Sequence, residues 1–304
     1  MPDILSVWLR EQFRLAKPLL KSLSIQADRA AQDKLGELKA RSFGGRVTYT
    51  PVSLSHCEAE WAMSKQPAEG TAILYLHGGG YTAGSLAYAR GFGGVLAEKT
   101  GRATLCVAYR LAPEDPYPAA LDDAREAYLR LLSEGYAPEK LLVIGESAGG
   151  GLLLCLCHDL RARGVPLPAA LVPISPWTDL TLSGKSYDNN EHRDPSLYKE
   201  KLAYSAMLYA AGSLNDPLVS PLFGDFTGFP PMLVFAGSEE LLLDDSVQLA
   251  ERCRAVGVDC ELVVEQGMWH VYVLFGVAEA RAAVARIVSF CDRHVPRLKE
   301  ADAE

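Results

Sequence analysis

The stretch "LLVIGESAGGGLLLCLC", residues 141–157, sets a serine among small residues where an apolar run would otherwise simply continue. Its first part reads as a buried strand and its last as an equally buried helix. Between them stands Gly145-Glu146-Ser147-Ala148-Gly149, a G-x-S-x-G pattern. A plain turn needs one or two flexible residues, not a small residue at every second place. One use of this pattern is a sharp strand-to-helix elbow. There the serine holds a strained backbone conformation, and its neighbours are tiny so that its oxygen stands clear. The plainer alternative is a tight turn whose glycines only let strand and helix pack closely. The rest of the chain has to decide.

Working outward, apolar strand-like runs alternate with helical ones. The strand runs are "TAILYLHG", "ATLCVAY", "LLVIG", "ALVPIS", "PMLVFAG" and "CELVVEQG". Helices are expected in "PAALDDAREAYLRLL", "GLLLCLCHDLRARG", "DDSVQLAERCRAVG" and "AEARAAVARIVSFCDRH". Two adjacent strands, "RVTYTPVSL" and "CEAEWAMS", come first. Such alternation implies a mostly parallel central sheet flanked by helices. Ligands in these folds lie beyond the carboxyl ends of the strands. Two segments break the rhythm: an amphipathic helical region up to about Ala40, and residues 183–215, where a polar run precedes the helical "SLYKEKLAYSAMLYAAG".

Composition narrows the function. The 304 residues are 49% apolar and 22% charged, which is ordinary for a globular protein with a sizeable core. A net charge of −8 without a Lys/Arg run argues against nucleic acid or an anionic membrane as partner. No signal peptide and no membrane span is legible, so stable membrane insertion is not expected. Seven scattered cysteines fit a reducing, cytoplasmic setting. Cys155 and Cys157 lie two apart on an expected helix and point to different faces, so no metal site is read there.

If Ser147 is a nucleophile, it needs a base, an acid to orient that base, and donors for an oxyanion. Donors are offered by His77-Gly78-Gly79-Gly80, directly after an apolar strand. A dinucleotide loop is excluded because Ala83 occupies its third glycine position. A phosphate loop from Gly79 to Gly84 is excluded because Ser85 replaces the essential lysine. A structural glycine turn is the plainer alternative. Of six histidines, His270 alone follows a late strand and its turn. For the acid, Glu239, Glu240, Asp244 and Asp245 all qualify by type, although Asp244 and Asp245 also suit a helix N-terminus electrostatically. The chain order serine, acid, histidine, with the glycine loop upstream, is that of α/β-hydrolases.

With these residues in view, the sequence resembles the bacterial hormone-sensitive-lipase-like (family IV) esterases over nearly the whole core. The shared stretches are "HGGGY" at 77–81, "YRLAPEDPYPAALDDA" at 109–124, "GESAGGG" at 145–151, "SPWTDL" at 175–180, "NDPLVSPLFGDFTGFPP" at 215–231 and "GSEELLLDDS" at 237–246. The resemblance implies an α/β-hydrolase fold with a helical cap. It divides the chain into cap segments 1–45 and 183–215 and core segments 46–182 and 216–304. It further implies Ser147 as nucleophile, His270 as base and an oxyanion hole from the N–H groups of Gly78, Gly79 and Ala148.

Laying "ELLLDDS" on the family's D-P-L-x-D-E-G motif puts Glu240 in the acid position, where the family usually has Asp. Val271 likewise replaces the glycine that often follows the histidine. Within "YRLAPE", Tyr109, Arg110 and Glu114 are expected to support a rigid loop. The cap residues Trp8, Phe13, Leu19, Leu20, Tyr198, Leu202, Tyr204, Met207, Leu208 and Tyr209 are expected to bury one another over the strand ends, some lining a pocket. The implied activity is a carboxylesterase acting on a small-molecule ester of short to medium acyl chain, with no cofactor and no metal. An amide or formamide hydrolase on the same groups is one alternative, and a non-catalytic small-molecule receptor of the same fold is another. The oligomeric state stays open, a homodimer included.

Overall fold

Ile73, Leu74, Tyr75 and Leu76 are consecutive and wholly buried, yet they belong to two separate packing layers, Leu74 and Leu76 in one and Ile73 and Tyr75 in the other. A strand points successive side chains to opposite faces, so an unbroken apolar run means a sheet covered on both sides. The computed structural model, which describes residues 2–21 and 23–297, has that form. Leu20's side chain and residues 298–304 of the second core segment lie outside the described residues.

The strands are β1 (Val47–Ser53), β2 (Glu58–Ser64), β3 (Ala68–Leu76), β4 (Arg102–Ala108), β5 (Leu141–Glu146), β6 (Ala170–Ile174), β7 (Met232–Gly237) and β8 (Cys260–Glu265). They form one eight-stranded sheet in the order β1-β2-β4-β3-β5-β6-β7-β8. β1 pairs antiparallel with β2, β2 pairs antiparallel with β4, and the pairings from β3 to β8 are parallel. The mostly parallel sheet read from the sequence is therefore present.

On one face lie α4 (Ala119–Ser133), α5 (Ala148–Ala162) and α8 (Leu243–Ala255). Their buried Leu121, Leu131, Leu152, Leu156 and Leu249 meet Leu74, Leu76, Leu141 and Val143 of the sheet. On the other face α3 (Leu86–Thr100) and α9 (Ala278–His294) bring Phe92, Leu96, Ile287 and Phe290 against Ile73, Tyr75, Leu142 and Ile144.

The two segments outside this rhythm become helical: α1 (Ile4–Lys21) and α2 (Ile25–Arg41), then α6 (Ser186–Asn189) and α7 (Lys199–Ala210). α2 seats on α3 through Gly36, where an added Cβ would come within 2.2 Å of the Ala87 carbonyl. Arg29 ties α2 to the loops after β3 and β4, donating to the carbonyls of Thr82 and Ala112 and pairing with Glu114 at 2.7 Å. α7 is anchored by Tyr209, whose ring stacks on Tyr81 at 3.7 Å.

The expectation that the apolar residues of these two segments bury one another is corrected here. Trp8 and Leu19 are 57% and 71% exposed, and Tyr204 and Met207 are 51% and 63% exposed. Leu202 and Tyr209 are buried, but within the main core cluster, and Phe13 packs edge-on against Trp269 and Phe275. The segments meet instead through polar contacts, with Lys17 donating to the Glu191 and Asp194 carbonyls and Lys201 beside Asp28. The physical reason is that the body beneath covers only part of each segment's apolar surface, through Phe13, Leu202 and Tyr209, and the rest stays exposed.

Candidate active site

Ser147 sits between β5 and α5 with φ 54° and ψ −122°, a backbone conformation that non-glycine residues rarely adopt. Such a conformation costs about 1–3 kcal/mol and persists only when its surroundings impose it. They do: Ser147 N–H donates to the Ile174 carbonyl, and the Ser147 carbonyl accepts from Trp177 and Gly151. The small neighbours are explained by contact. A Cβ on Gly145 would lie 2.4 Å from the Gly149 carbonyl oxygen, and one on Gly149 would lie 2.1 Å from that of Leu76. The stretch at 141–157 is therefore an elbow, and its glycines are there for close approach.

Ser147 Oγ lies 2.9 Å from His270 Nε2. His270 follows β8 after a short turn, held by Met268 and Trp269, both wholly buried, and by the Glu239 N–H, which donates to the Met268 carbonyl. The next residue, Val271, has φ 51° in the left-handed region. That is why glycine suits this position, and a β-branched residue there carries some strain.

The four carboxylates the sequence left open separate cleanly. Glu240 is wholly buried, with Oε2 3.4 Å from His270 Nδ1. Burial raises its pKa, opposed mainly by His270. Glu239 instead pairs with Arg193, which holds its carboxyl below the usual range. Asp244 accepts the Ser186 N–H. Asp245 is buried beneath the N–H groups of Thr178 and Asp179 and the Tyr187 hydroxyl, and burial pushes it up to about 8.

Ser175, at the end of β6, is a site residue that sequence reasoning missed. Its hydroxyl accepts the Val271 N–H at 3.0 Å and lies close enough to Glu240 to lower its pKa. The serine directly after a buried strand, in "SPWTDL", was the available signal.

The glycine loop requires a correction. Gly78, named from the sequence as an oxyanion donor, gives its N–H to Glu146 Oε1 at 2.6 Å. That donor is engaged and cannot also meet a substrate oxygen. The N–H groups of Gly79, Gly80 and Ala148 donate to no backbone or side-chain acceptor in the described structure. Gly79 and Gly80 lie beside Ser147 in the lining of one cavity. Gly80 was passed over because nothing in "HGGGY" says which N–H groups its own fold consumes.

The loop is fixed from behind as well. His77 Nδ1–H donates to the Gly78 carbonyl at 2.7 Å, and the Tyr109 hydroxyl donates to the His77 carbonyl at 2.6 Å. Arg110 pairs with the buried Asp123, so Tyr109, Arg110 and Glu114 serve support as read from the sequence. Ser147 and His270 open into a cavity of about 470 Å³. Leu35, Phe92, Leu197, Leu202, Leu274 and Phe275 give it apolar walls, while Gln32, Lys201 and Ser205 add polar points. Among the described residues no group of three His, Cys, Asp or Glu side chains could hold a metal ion, and no helix is long and apolar enough to cross a membrane. Chemically, a hydroxyl beside an imidazole backed by a carboxylate, next to free N–H donors, suits acyl transfer.

The chain is similar to known proteins of the α/β-hydrolase fold. A family model described as alpha/beta hydrolase fold matches residues 73–274. An acetyl-hydrolase of Streptomyces hygroscopicus is 40% identical over 222 residues, covering 73% of this chain and 74% of its own length. An esterase of Acinetobacter venetianus is 35% identical over 248 residues, covering 80% and 82%. The crystal structure of an esterase from the bacterial hormone-sensitive lipase family superposes with a TM-score of 0.85 at 35% identity, covering 94% of this chain and 98% of that one.

Proposed function

This chain belongs to the alpha/beta-hydrolase family, among its bacterial hormone-sensitive-lipase-like esterases, and from that premise we propose that it cleaves short- to medium-chain acyl esters through a Ser147–His270–Glu240 triad. It is a carboxylic ester hydrolase. The observation that carries the finer reading is the 2.9 Å approach of Ser147 Oγ to His270 Nε2, with Glu240 behind the ring at 3.4 Å.

In the mechanism, His270 takes the Ser147 proton as the hydroxyl oxygen attacks the ester carbonyl. The developing oxyanion is met by the N–H groups of Gly79, Gly80 and Ala148, which owe no other bond. His270 then protonates the leaving alcohol, and the acyl group stays on Ser147. A water repeats the sequence: its oxygen attacks the acyl carbonyl as His270 accepts its proton, the acyl–Oγ bond breaks as His270 returns that proton to Ser147, and the acid leaves. Glu240 fixes the imidazole tautomer and stabilises the imidazolium. Segments 1–45 and 183–215 act as the cap, α2 and α7 supplying Leu35 and Leu202 to the pocket wall.

A closed apolar pocket gains about 0.8 kcal/mol, or roughly fourfold in specificity, for each methylene it buries until it is full. A series of p-nitrophenyl esters of rising chain length tests this. Specificity is expected to climb and then collapse, with the best acyl chain at about four to eight carbons. Emulsified long-chain triglycerides outperforming soluble short esters would overturn the size reading. A matching anilide series separates ester from amide hydrolysis. Against the receptor alternative stands His270, within hydrogen-bond reach of Ser147.

A further inference from the structure

The residue before the nucleophile is not used by the mechanism. Glu146 ends β5, has no exposed surface, and lies beside Ser147 with its carboxylate turned to the glycine loop. A buried carboxylate in a protein body is costly unless it is bonded. We propose that Glu146 is a positioning residue, whose ionised carboxylate holds the glycine loop at Gly78 so that the following N–H groups of Gly79 and Gly80 face the reacting oxygen. This rests on the reading of Ser147 and the oxyanion donors given above.

The geometry is specific. The Gly78 N–H reaches Oε1 at 2.6 Å, the short separation expected when the acceptor is charged. A Cβ on Gly78 would lie 3.1 Å from the Ser147 Cβ and 3.1 Å from the Glu146 carbonyl oxygen, so the loop rests directly on the elbow. The carbonyl of the same peptide, that of His77, is held by the Tyr109 hydroxyl, and the carbonyl of the next, that of Gly78, by His77 Nδ1–H. Only Glu146 holds the N–H side. Without it, Gly78 would carry a buried unpaired donor, and the loop would be free to rotate that N–H toward the site.

The groups that face the carboxylate are Tyr75 on β3, Tyr88 on α3, Cys106 on β4 and Tyr109 after it. All four are raised by burial and so stay uncharged near neutral pH. None supplies a positive charge. Burial pushes Glu146 itself up to about 7, opposed by the nearby Tyr75 and Tyr88 hydroxyls and by the Gly78 N–H that bonds it. Protonation weakens the clamp from a charge-assisted bond to a neutral one. Loop placement then deteriorates as pH falls through neutrality.

The test compares Glu146→Gln and Glu146→Ala with the parent enzyme on p-nitrophenyl butyrate from pH 5 to 9. Inhibition by an alkyl trifluoromethyl ketone, whose adduct carries an oxyanion, is measured alongside. Loss of loop placement in Glu146→Ala is expected to lower kcat by about 100-fold with KM nearly unchanged, and to weaken the ketone in proportion. Glu146→Gln keeps the shape and an acceptor, so it is expected to fold and to lose about tenfold in kcat. Its acidic limb is expected to show one ionisation where the parent shows two. Unchanged ketone inhibition, a loss confined to KM, or a parent-like pH profile in Glu146→Gln overturns the proposal. Stoichiometric labelling of Ser147 by a fluorophosphonate in the parent keeps a failure here distinct from failure of the nucleophile assignment.

Discussion

Replacing Glu240 by Gln removes one buried negative charge while keeping the volume and leaving Ser147 and His270 untouched. The carboxylate oxygen lies 3.4 Å from His270 Nδ1, and neither side chain is more than 6% exposed. Two unit charges at that separation, in an effective dielectric of about 20, attract by about 5 kcal/mol. The attraction exists only when the ring is protonated, which happens as the serine proton is transferred, so it stabilises the transition state rather than the resting enzyme. Losing most of it corresponds to a fall of about 10³–10⁴ in kcat. Asp244→Asn is the matched control: its carboxylate accepts the Ser186 N–H and touches neither catalytic side chain, so turnover is expected to stay within about twofold. The assay is steady-state hydrolysis of p-nitrophenyl butyrate, with circular dichroism and thermal melts to establish that both variants fold. A Glu240→Gln enzyme that retains more than about a tenth of kcat, or a crippled Asp244→Asn enzyme, refutes the assignment of the acid.

Two further outcomes follow from the same geometry. Gly79 has φ +117°, and an added Cβ would come within 2.2 Å of the Ala83 carbonyl oxygen, so Gly79→Ala is expected to shift the donor loop. Turnover should fall by about 100-fold or more with the fold intact, and near-normal kcat would show that the loop's N–H groups do not matter. His158 is buried against Phe226 and Phe229, and burial lowers its pKa from 6.5 to about 4. The unfolded chain therefore takes up that proton first, and stability present above pH 6.5 is lost as pH falls toward 4. Between pH 7.5 and 5 this one ring should cost about 2 kcal/mol, so urea unfolding of His158→Leu should be less acid-sensitive than the parent by about that amount. Equal pH dependence of the two proteins would contradict the buried, neutral ring.

Most of the sheet was legible because two-sided burial writes itself as continuous apolar runs, and "LLVIG" or "PMLVFAG" admit few other readings. Ser147 and His270 were legible because their positions at strand ends are fixed by chain order. Helix α3 was not singled out, since Gly91, Gly93 and Gly94 are poor helix formers and their reason is tertiary. A Cβ on Gly93 would meet the Cys106 sulfur at 2.2 Å, and one on Gly94 the Phe43 ring at 2.5 Å. The engagement of the Gly78 N–H was illegible for a related reason: its fate is decided by a carboxylate sixty-eight positions away. Cap packing failed for a third. Apolar spacing marks which face of α1 or α7 is greasy, but not whether anything covers it, and Trp8 and Met207 stay exposed.

The central claim is that Ser147 is the acyl-accepting nucleophile. Its most direct test is reaction of the 304-residue protein with diethyl p-nitrophenyl phosphate, followed by peptide mass spectrometry against residual esterase activity. A single diethylphosphoryl group on Ser147, appearing in step with loss of activity and absent from an inactive Ser147→Ala protein, is the expected result. Inactivation with the adduct on another residue, or parent-like ester turnover by folded Ser147→Ala, would contradict it.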